Sequence, residues 1–586
     1  MRIGVLREIP DDPALREQWN GLAFRTRNPQ VFYTYEWARA VQFAYGTELC
    51  PLLLLGYDKA ERLVGVAALA APESGPVSFL GANTGDYCDF IADELHAGEF
   101  TAQVLQTLNR EGYSDIVLTN FPVDSPAYAA LHAAARSSHF HVYERTAYLC
   151  AQVQLSAIIG DGGKIDLPRQ KMVRRSLRAM GGEAPIRVFK QSSLEQVGPM
   201  LPEFFRAHVA RFLATGRISN LARPERRMFL AELARLLSPT GWLCLTRMNV
   251  GPRTIAWNYG FEFCSTSFWY QPTFVNDLEK YSPGFVLLSS LIEGVVRDSK
   301  IQTVDLGLGA EGYKEAFENA TRRTMYVTLH RSTLRHWKEI VRYRVAAVIA
   351  TRPHLAQTVR NLLAKARGVK RRIREYGLIS TLGWFLSRVR RWLSSAEEVF
   401  FFEGGTAAGE SCEGFSILPV GYEALAEAAM QCYDDDETLQ YLTRAGQRLR
   451  KGGGEGFVLV DNAGRPVHFS WVTAFDGFFL SELNAKVDAP SANCVMLFDC
   501  WTPAAHRGHG FYAEAVNRVT RELRERGDSP WIFSAGSNTA SMRGLAKTGF
   551  HRRYSLVRKR LLGWQWIEGT PPWMSEAPGT EVSAQI

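Results

Sequence analysis

The stretch TPAAHRGHGFYAEAV (Thr502–Val516) follows an apolar run, CVMLFDCW, and leads into a segment of helical apolar spacing, FYAEAVNRVTRELRERG. A helix start carries unpaired amides and the positive end of the helix dipole, and glycines there let backbone approach a phosphate closely. Arg507, Gly508, His509, Gly510 and Phe511 are therefore a candidate anion cradle; a plain strand-to-helix turn is the alternative. Tyr281, Ser282, Pro283 and Gly284 form a second such junction, in which proline presets the first helical turn and glycine clears space for a diphosphate. Asp305 ends a short strand-like run before Gly307 and Gly309, as a base, an amine-orienting carboxylate or a cap of the following loop. His208, with an ordinary pKa near neutrality, is a second candidate base, or a histidine packed among Phe204, Phe205 and Phe212. Arg211 stands one helical turn on, and Lys314 could hold a phosphate or sugar oxygen or be a solvated helix residue. Trp257, Trp269 and Tyr270 could line a sugar pocket or fill a hairpin core. Arg174, Arg175 and Arg178 share a helix on which at least two face one way, toward an anionic acceptor or simply toward water.

These residues need elements to hold them. Residues 1–150 alternate helical stretches with short apolar runs (PLLLLGY, LVGVAALAAP, DIVLTNF), which predicts an α/β unit around a sheet. Residues 151–332 open with helices and continue through GWLCLTRMN, TIAWNYGFEF and STSFWYQP, three runs joined by hairpin signals. The helix-like YSPGFVLLSSLIEGVVRDS, the short strand TVDLGLG and a last strand, MYVTLH, close this block. Residues 333–398 read as basic amphipathic helices and 399–414 as a linker. Residues 415–566 form a further α/β region with a hairpin at Asn-Ala-Gly, and 567–586 a loose tail.

The chain's 586 residues exceed a single domain of ~100–200 residues. Nine cysteines occur without a Cys-x-x-Cys pair, so a zinc ribbon or thioredoxin motif is not expected and a reducing cytoplasm is. No metal-ligand spacing is present, and no run approaches the ~18 apolar residues of a spanning helix. The net charge of +8 is local: Arg331–Ser395 holds 16 Lys/Arg against 2 Asp/Glu, which leaves the remainder net acidic. With Trp, Phe and Leu beside Arg in LGWFLSRVRRWLSS, residues 333–398 suit an anionic membrane surface, or an arm packed on the acidic domains. A nucleic-acid partner is disfavoured, since no helix-turn-helix or RNP signature accompanies the charge.

About 28 residues beyond Gly510, Asn538 opens NTASMRGLAKTGF after the apolar WIFSA. This set, over residues 415–565, resembles the GNAT N-acyltransferase superfamily. The resemblance implies that the Arg507–Gly510 loop holds the pyrophosphate of acetyl-CoA or another acyl-CoA. It also implies that Asn538 contacts the cofactor arm and that Gly549-Phe550 starts the last hairpin. Seven residues after the Asn, many members carry a Tyr that protonates the leaving thiolate; this chain has Leu545, and Tyr512 and Cys500 are the alternatives. Upstream, VFYTYEWARAV with Gly46, FLGANTGDYCDFIAD, IVLTNFPVDSP, the His208–Arg211 pair, Tyr281–Gly284 and DLGLGAEGYKEAF resemble landmarks of CelD-like, cellulose-biosynthesis-type proteins. Those resemble the FemAB transferases in carrying two GNAT-like halves, here over about residues 20–330.

The resemblance implies an α/β fold of GNAT-type mixed sheets flanked by helices: a tandem N-terminal region, a helical basic segment and a C-terminal domain. The implied reaction is acyl transfer, acetyl in the first instance, from acyl-CoA to a small-molecule amine such as an amino sugar or polysaccharide precursor. A base takes the amine proton, backbone amides polarise the thioester carbonyl, and CoA leaves. An aminoacyl transferase using charged tRNA is the alternative enzyme. Non-catalytic acyl-CoA-binding modules anchored by the basic arm are the alternative of another class. The expected place is the cytoplasm, peripheral at the inner membrane face.

Overall fold

A computed structural model describes residues 1–160, 164–182, 184–298, 300–309, 311–352, 394–405, 414–562 and 564–574, with 373, 377, 380, 381 and 383. The chain divides into two compact units, Met1–Arg211 with Asn220–Val348, and Phe212–Ser219 with Ile349–Ile586.

The first unit is built on one mixed sheet. Its strands are β1 (Arg2–Leu6), β2 (Pro51–Tyr57), β3 (Leu63–Ala70), β4 (Val77–Phe79), β5 (Ile91–Ala92), β6 (Asp115–Pro122) and β7 (His141–Gln154). They continue as β8 (Ile186–Gln191), β9 (Leu243–Val250), β10 (Arg253–Phe263), β11 (Thr266–Phe274), β12 (Thr303–Asp305) and β13 (Ala320–His330). The order is β1-β2-β3-β4-β6-β13-β7-β12-β11-β10-β9-β8, with β5 on β3. The three aromatic and β-branched runs of the second block form the antiparallel strands β9, β10 and β11.

The helices are α1 (Pro13–Arg25), α2 (Tyr35–Leu49), α3 (Ala97–Arg110), α4 (Pro126–Ser137), α5 (Gln170–Gly181), α6 (Leu194–Val197), α7 (Leu201–Ala214), α8 (Pro224–Leu237), α9 (Pro283–Val296) and α10 (Thr333–Ala350). Their starts are legible. Asp12 and Ser125 accept hydrogen bonds from first-turn amides of α1 and α4, each with proline at the first helical position. Parallel pairing occurs twice, β4 with β6 and β11 with β12, and helices α3 and α9 lie on the connections. α9 buries Phe285, Val286, Leu287, Leu288, Leu291 and Ile292 in the core of the second half.

Two boundaries differ from the sequence reading. Residue 150 falls inside β7, a continuous strand of 14 residues. The last strand, β13, does not stay with the second half: it lies between β6 and β7, antiparallel to both. Its Val327 and Leu329 belong to the core that encloses Leu52, Phe79 and Phe121. The reason is side-chain alternation, which buries Val327 and Leu329 on one face of a strand whose pairing is free to be long-range.

The second unit has the strand order β15-β16-β17-β20-β21-β14-β22-β23 and a separate hairpin, β18–β19. Its strands are β14 (Ser394–Gly404), β15 (Phe415–Pro419), β16 (Glu455–Asp461), β17 (Pro466–Ala474), β18 (Phe478–Leu480), β19 (Ala485–Val487), β20 (Cys494–Trp501), β21 (Ser529–Ala535), β22 (Phe550–Leu561) and β23 (Trp564–Glu568). The helices are α11 (Tyr422–Gln431), α12 (Asp436–Lys451), α13 (Phe511–Glu525) and α14 (Thr539–Leu545). β20 and β21 are parallel, joined through α13. The hairpin read at Asn-Ala-Gly is β16–β17, with Gly464 at φ 74°.

Here too the reading is corrected. The end of the basic segment and the start of the linker form β14, which sits between β21 and β22. Val399 and Phe401 are fully buried, with the Phe401 ring stacked on Tyr554 at 4.4 Å. The glycines after Glu403 suggested a linker and masked an apolar run that a sheet interior could use. The tail is also longer in structure than expected: Trp573 packs edge-on against Tyr554 at 5.1 Å. Of the three basic helices, only LRHWKEIVRYRVAAVIA falls on a described element, α10; the other two lie almost wholly outside the described residues. Among the described residues no helix is long and apolar enough to cross a membrane, and no cluster with metal-ligand composition occurs.

Candidate functional site

In the second unit, β20 and β21 pair only from Cys494–Ser529 to Leu497–Ile532. Beyond that point both strands continue, β20 to Trp501 and β21 to Ala535, without pairing to each other. A bulge drives β20 away. Phe498 and Trp501 face Trp471 and Phe469 on β17, so three steps on one strand match two on the other. The extra residue is Asp499, at φ 47°, whose carboxylate is held by Arg448 at 2.6 Å. The diverging strands open a cleft of about 480 Å³.

The quoted loop closes one end of that cleft. Gly508 and Gly510 have φ of 86° and 83°, the left-handed region that costs glycine least. Gly510 is the N-cap of α13, and no side chain caps that helix. The first-turn amides and the positive end of a 15-residue helix are thus left to an incoming anion. Arg507, Gly508, Gly510 and Phe511 line the cleft. The Arg507 guanidinium lies 5.1 Å from the centre of the Trp501 ring and donates from Nε to the Thr502 carbonyl at 3.1 Å. His509 is exposed and stacks on Phe511.

The opposite wall comes from α14. Asn538 lines the cleft and caps α14, its side-chain oxygen accepting from the Ser541 amide at 3.1 Å. Leu545 is 2 % exposed and belongs to the core with Val516 and Phe550, so it offers the cleft nothing. The Tyr512 ring lies against Gly544, where a β-carbon would come within 2.5 Å of it, and its hydroxyl is 3.2 Å from Ser541 Oγ. Tyr512 therefore reaches the helix position next to Leu545, and burial raises its pKa, so the phenol keeps its proton at neutral pH. Cys500 also lines the cleft, its thiol pushed up to about 12 by burial. Behind it, His468 is fully buried and held neutral, its pKa lowered to about 3 by burial. One His468 nitrogen is 2.7 Å from Thr502 Oγ1 and the other 3.1 Å from Ser470 Oγ.

The first unit gathers a different set. Asp305 is 1 % exposed, and Tyr87 and Gln152 both donate to its Oδ2 at 2.7 Å. Its Oδ1 accepts the Gly307 amide at 2.8 Å, so it caps the loop and both its oxygens are held. Lys314 is buried, not solvated: its ammonium donates to the Leu308 carbonyl at 2.6 Å and pairs with Glu311 at 2.8 Å. His208 is buried beside Phe204 on α7, and Arg211 lies over the Phe274 ring while donating to the Pro272 carbonyl. Trp257 is enclosed in the sheet, and a sugar-stacking role requires an open ring face. Tyr270 is likewise buried; it donates to the Thr84 carbonyl and accepts from the Arg226 guanidinium at 2.7 Å. Ser282 stands at φ 53° as the N-cap of α9, with Pro283 in the first turn. Tyr281 ends the preceding turn and packs on the core, and a β-carbon at Gly284 would approach the Phe274 ring.

Sequence reasoning passed over Asp86, whose carboxyl is raised to about 7, first by burial and then by the charge of Asp305. The signal was two acids in the glycine-flanked TGDYCDF, otherwise aromatic and apolar. It also passed over Ser541, which lines the cleft, and His468 and Ser470, which the fold buries behind it. Asp499 was visible as the one acid interrupting CVMLFDCW.

Residues 169–315 match the family model described as an acetyltransferase (GNAT) domain. No curated protein matches the chain. Similar solved structures include a conserved protein of unknown function from Bacteroides thetaiotaomicron, at 12% identity over 56% of this chain and 100% of that chain, TM-score 0.40. FemX is similar at 10% identity over 53% and 95%, TM-score 0.38. A tandem GNAT protein from the clavulanic acid biosynthesis pathway is similar at 12% identity over 56% and 99%, TM-score 0.33. The stretch that matches the acetyltransferase (GNAT) domain model contains the parallel pair β11–β12, with α9 on its connection.

Proposed function

We propose that the chain is an N-acyltransferase that binds acyl-CoA, acetyl-CoA in the first instance, in the β20–β21 cleft and passes the acyl group to an amine. The observation that carries this reading is the splayed parallel pair with a glycine-bearing, uncapped helix start at its mouth. In this reading the diphosphate lies on the Arg507–Gly510 loop and the first turn of α13, and the pantetheine arm runs between the strands. Backbone amides of β20 beyond Leu497, where pairing with β21 has ended, polarise the thioester carbonyl. The amine attacks the carbonyl carbon, the C–S bond breaks, Tyr512 gives its proton to the sulfur, and the proton lost from the amine nitrogen passes to solvent water, which reprotonates Tyr512. The CelD-like resemblance of the first unit points to an amino sugar or polysaccharide precursor as acceptor.

Titration calorimetry of acetyl-CoA into the full chain tests the donor site. Gly510→Glu and Arg507→Glu each put a carboxylate where the diphosphate lies, and each should weaken binding at least ~10-fold. Asp305→Asn should leave binding unchanged. Binding that survives both loop variants and fails in Asp305→Asn would move the donor to the first unit.

A second reading, aminoacyl transfer from charged tRNA, is favoured by α5. Lys171, Arg174, Arg175 and Arg178 share its exposed side, the helix holds no acid, and none of the four has an ion-pair partner among the described residues. A salt-sensitive gel shift with aminoacyl-tRNA, lost in Arg174→Glu/Arg178→Glu, would support it.

A further inference from the structure

The β22–β23 hairpin ends in apolar side chains that no described element covers. Leu561, Leu562 and Trp564 are 50 %, 70 % and 75 % exposed. β23 is the edge of its sheet, and Trp566 and Ile567 on it are exposed as well. Immediately behind the tip, β22 carries three consecutive cations, Arg558, Lys559 and Arg560. In the strand register Leu561 faces Trp564, Arg560 faces Gln565, Lys559 faces Trp566 and Arg558 faces Ile567. Lys559 is paired with Glu568 at 2.7 Å, whereas Arg560 has no ion-pair partner among the described residues. From Phe550 to Glu568 the chain carries five Arg/Lys and one acid.

Leucine and tryptophan at a protruding end, with arginine and lysine one or two strand steps back, match the depth profile of a lipid interface. The apolar tip enters the acyl boundary, the indole sits at headgroup level, and the cations meet anionic phosphates. A protein partner would not require the cationic collar to follow the apolar tip in this order. The first unit independently offers a patch of the same chemistry. Leu334, Trp337, Val341, Val345 and Val348 form an exposed stripe along α10, at helical spacing, in a helix with four Arg/Lys and a single acid.

We infer that this protein docks on an anionic lipid bilayer surface, with Leu561, Leu562 and Trp564 at the tip of the β22–β23 hairpin as the inserted contact. The inference does not depend on what the cleft binds.

Flotation of the full-length protein with phosphatidylcholine vesicles, with and without phosphatidylglycerol, tests it. The protein should float with the anionic vesicles and not with the neutral ones. Leu562→Ser/Trp564→Ser removes the tip and Lys559→Glu/Arg560→Glu reverses the collar; each should lower binding at least ~10-fold. Leu562 and Trp564 are exposed and Lys559 and Arg560 half-buried, and unchanged melting would confirm that the fold is intact. Failure of the wild type to float with anionic vesicles would overturn the inference. So would equal flotation of all variants, or loss of flotation in Trp337→Ser/Val341→Ser alone with none in the hairpin variants. Sedimentation velocity supplies the remaining arm: self-association of the wild type without lipid, abolished by the tip variant, would make the face a contact between copies and overturn the lipid assignment.

Discussion

At the scale of single residues, the departure at Leu545 is the feature with the most chemistry in it. The helix position expected to supply a proton donor is filled by a core leucine, and the ring of Tyr512 lies one residue away, admitted by the absence of a side chain on Gly544. If Tyr512 protonates the leaving sulfur, Tyr512→Phe should lower kcat by ~10²-fold and leave the KM for acyl-CoA within about twofold. Cys500→Ala should change kcat only a few-fold, because the Tyr512 ring, and not Cys500, lies against Gly544 beside the Leu545 position; steady-state rates of both variants check the order. The loop glycines were legible because a left-handed φ beside a helix start leaves a mark on sequence. Tyr512 and Ser541 were not legible as a pair, since they lie 29 positions apart and meet only when α13 and α14 pack. Asp86 provides a pH test. Its folded carboxyl keeps its proton to about 7, while an unfolded aspartate releases it near 4, so the folded state binds more protons in between. Stability from this group is therefore lost as pH rises from about 4 to about 7 and is level above that. With Asp305, Lys314 and Arg226 around it, the partial exposure of Asp86 holds the effect to about 1–2 kcal/mol. Asp86→Asn should narrow the fall in melting temperature between about pH 5 and pH 8 by a few degrees; Asp89 keeps its own share in both proteins, so the difference isolates Asp86.

At the scale of elements, alternation and turn chemistry marked most strands, and failed where an interior strand adjoined a glycine run. β14 shows why. An interior strand buried on both faces shows no alternation, and EVFFFEGG reads equally as the start of a flexible joint. Yet Phe401 is fully buried, stacked on Tyr554 and bounded by Phe475 and Trp531 in one core. Phe401→Ala should cost ~3–5 kcal/mol, as truncation of a buried aromatic does where the neighbours cannot collapse. Because β14 pairs directly with β21, one wall of the cleft, the loss should also reach the site. The expected result is a lowered melting temperature, with acetyl-CoA binding retained at low temperature and lost in step with that transition. Binding lost while the fold stays intact would mean that β14 shapes the cleft and does not merely support it.

At the scale of the molecule, the consequence of β13 outweighs any single site. The reading of two halves, joined near residue 150, kept the last strand with the second block, whereas it pairs with β6 and β7, because partner choice across ~200 residues leaves no local signal. The C-terminal strand of the second half closes the first: β13 supplies the neighbour on one side of β6 and one side of β7, and its Val327 and Leu329 fill the first half's core. A chain ending after Phe317 would retain the matched GNAT domain and still leave β6 with an open edge and a hole in the Leu52–Phe121 core. The first unit should therefore behave as one cooperative body. Val327→Asp, which buries an unpaired charge at a fully enclosed position, should destabilise it by at least ~3 kcal/mol. Hydrogen exchange followed by mass spectrometry is the check. Amides of β6 and β3 in the first half and of β12 and β11 in the second should lose protection together, since β7 ties β13 to β12 in one ladder. Loss confined to β6 and its neighbours, with β11 and β12 still protected, would show instead that the two halves unfold separately and that β13 is a strap between independent folds.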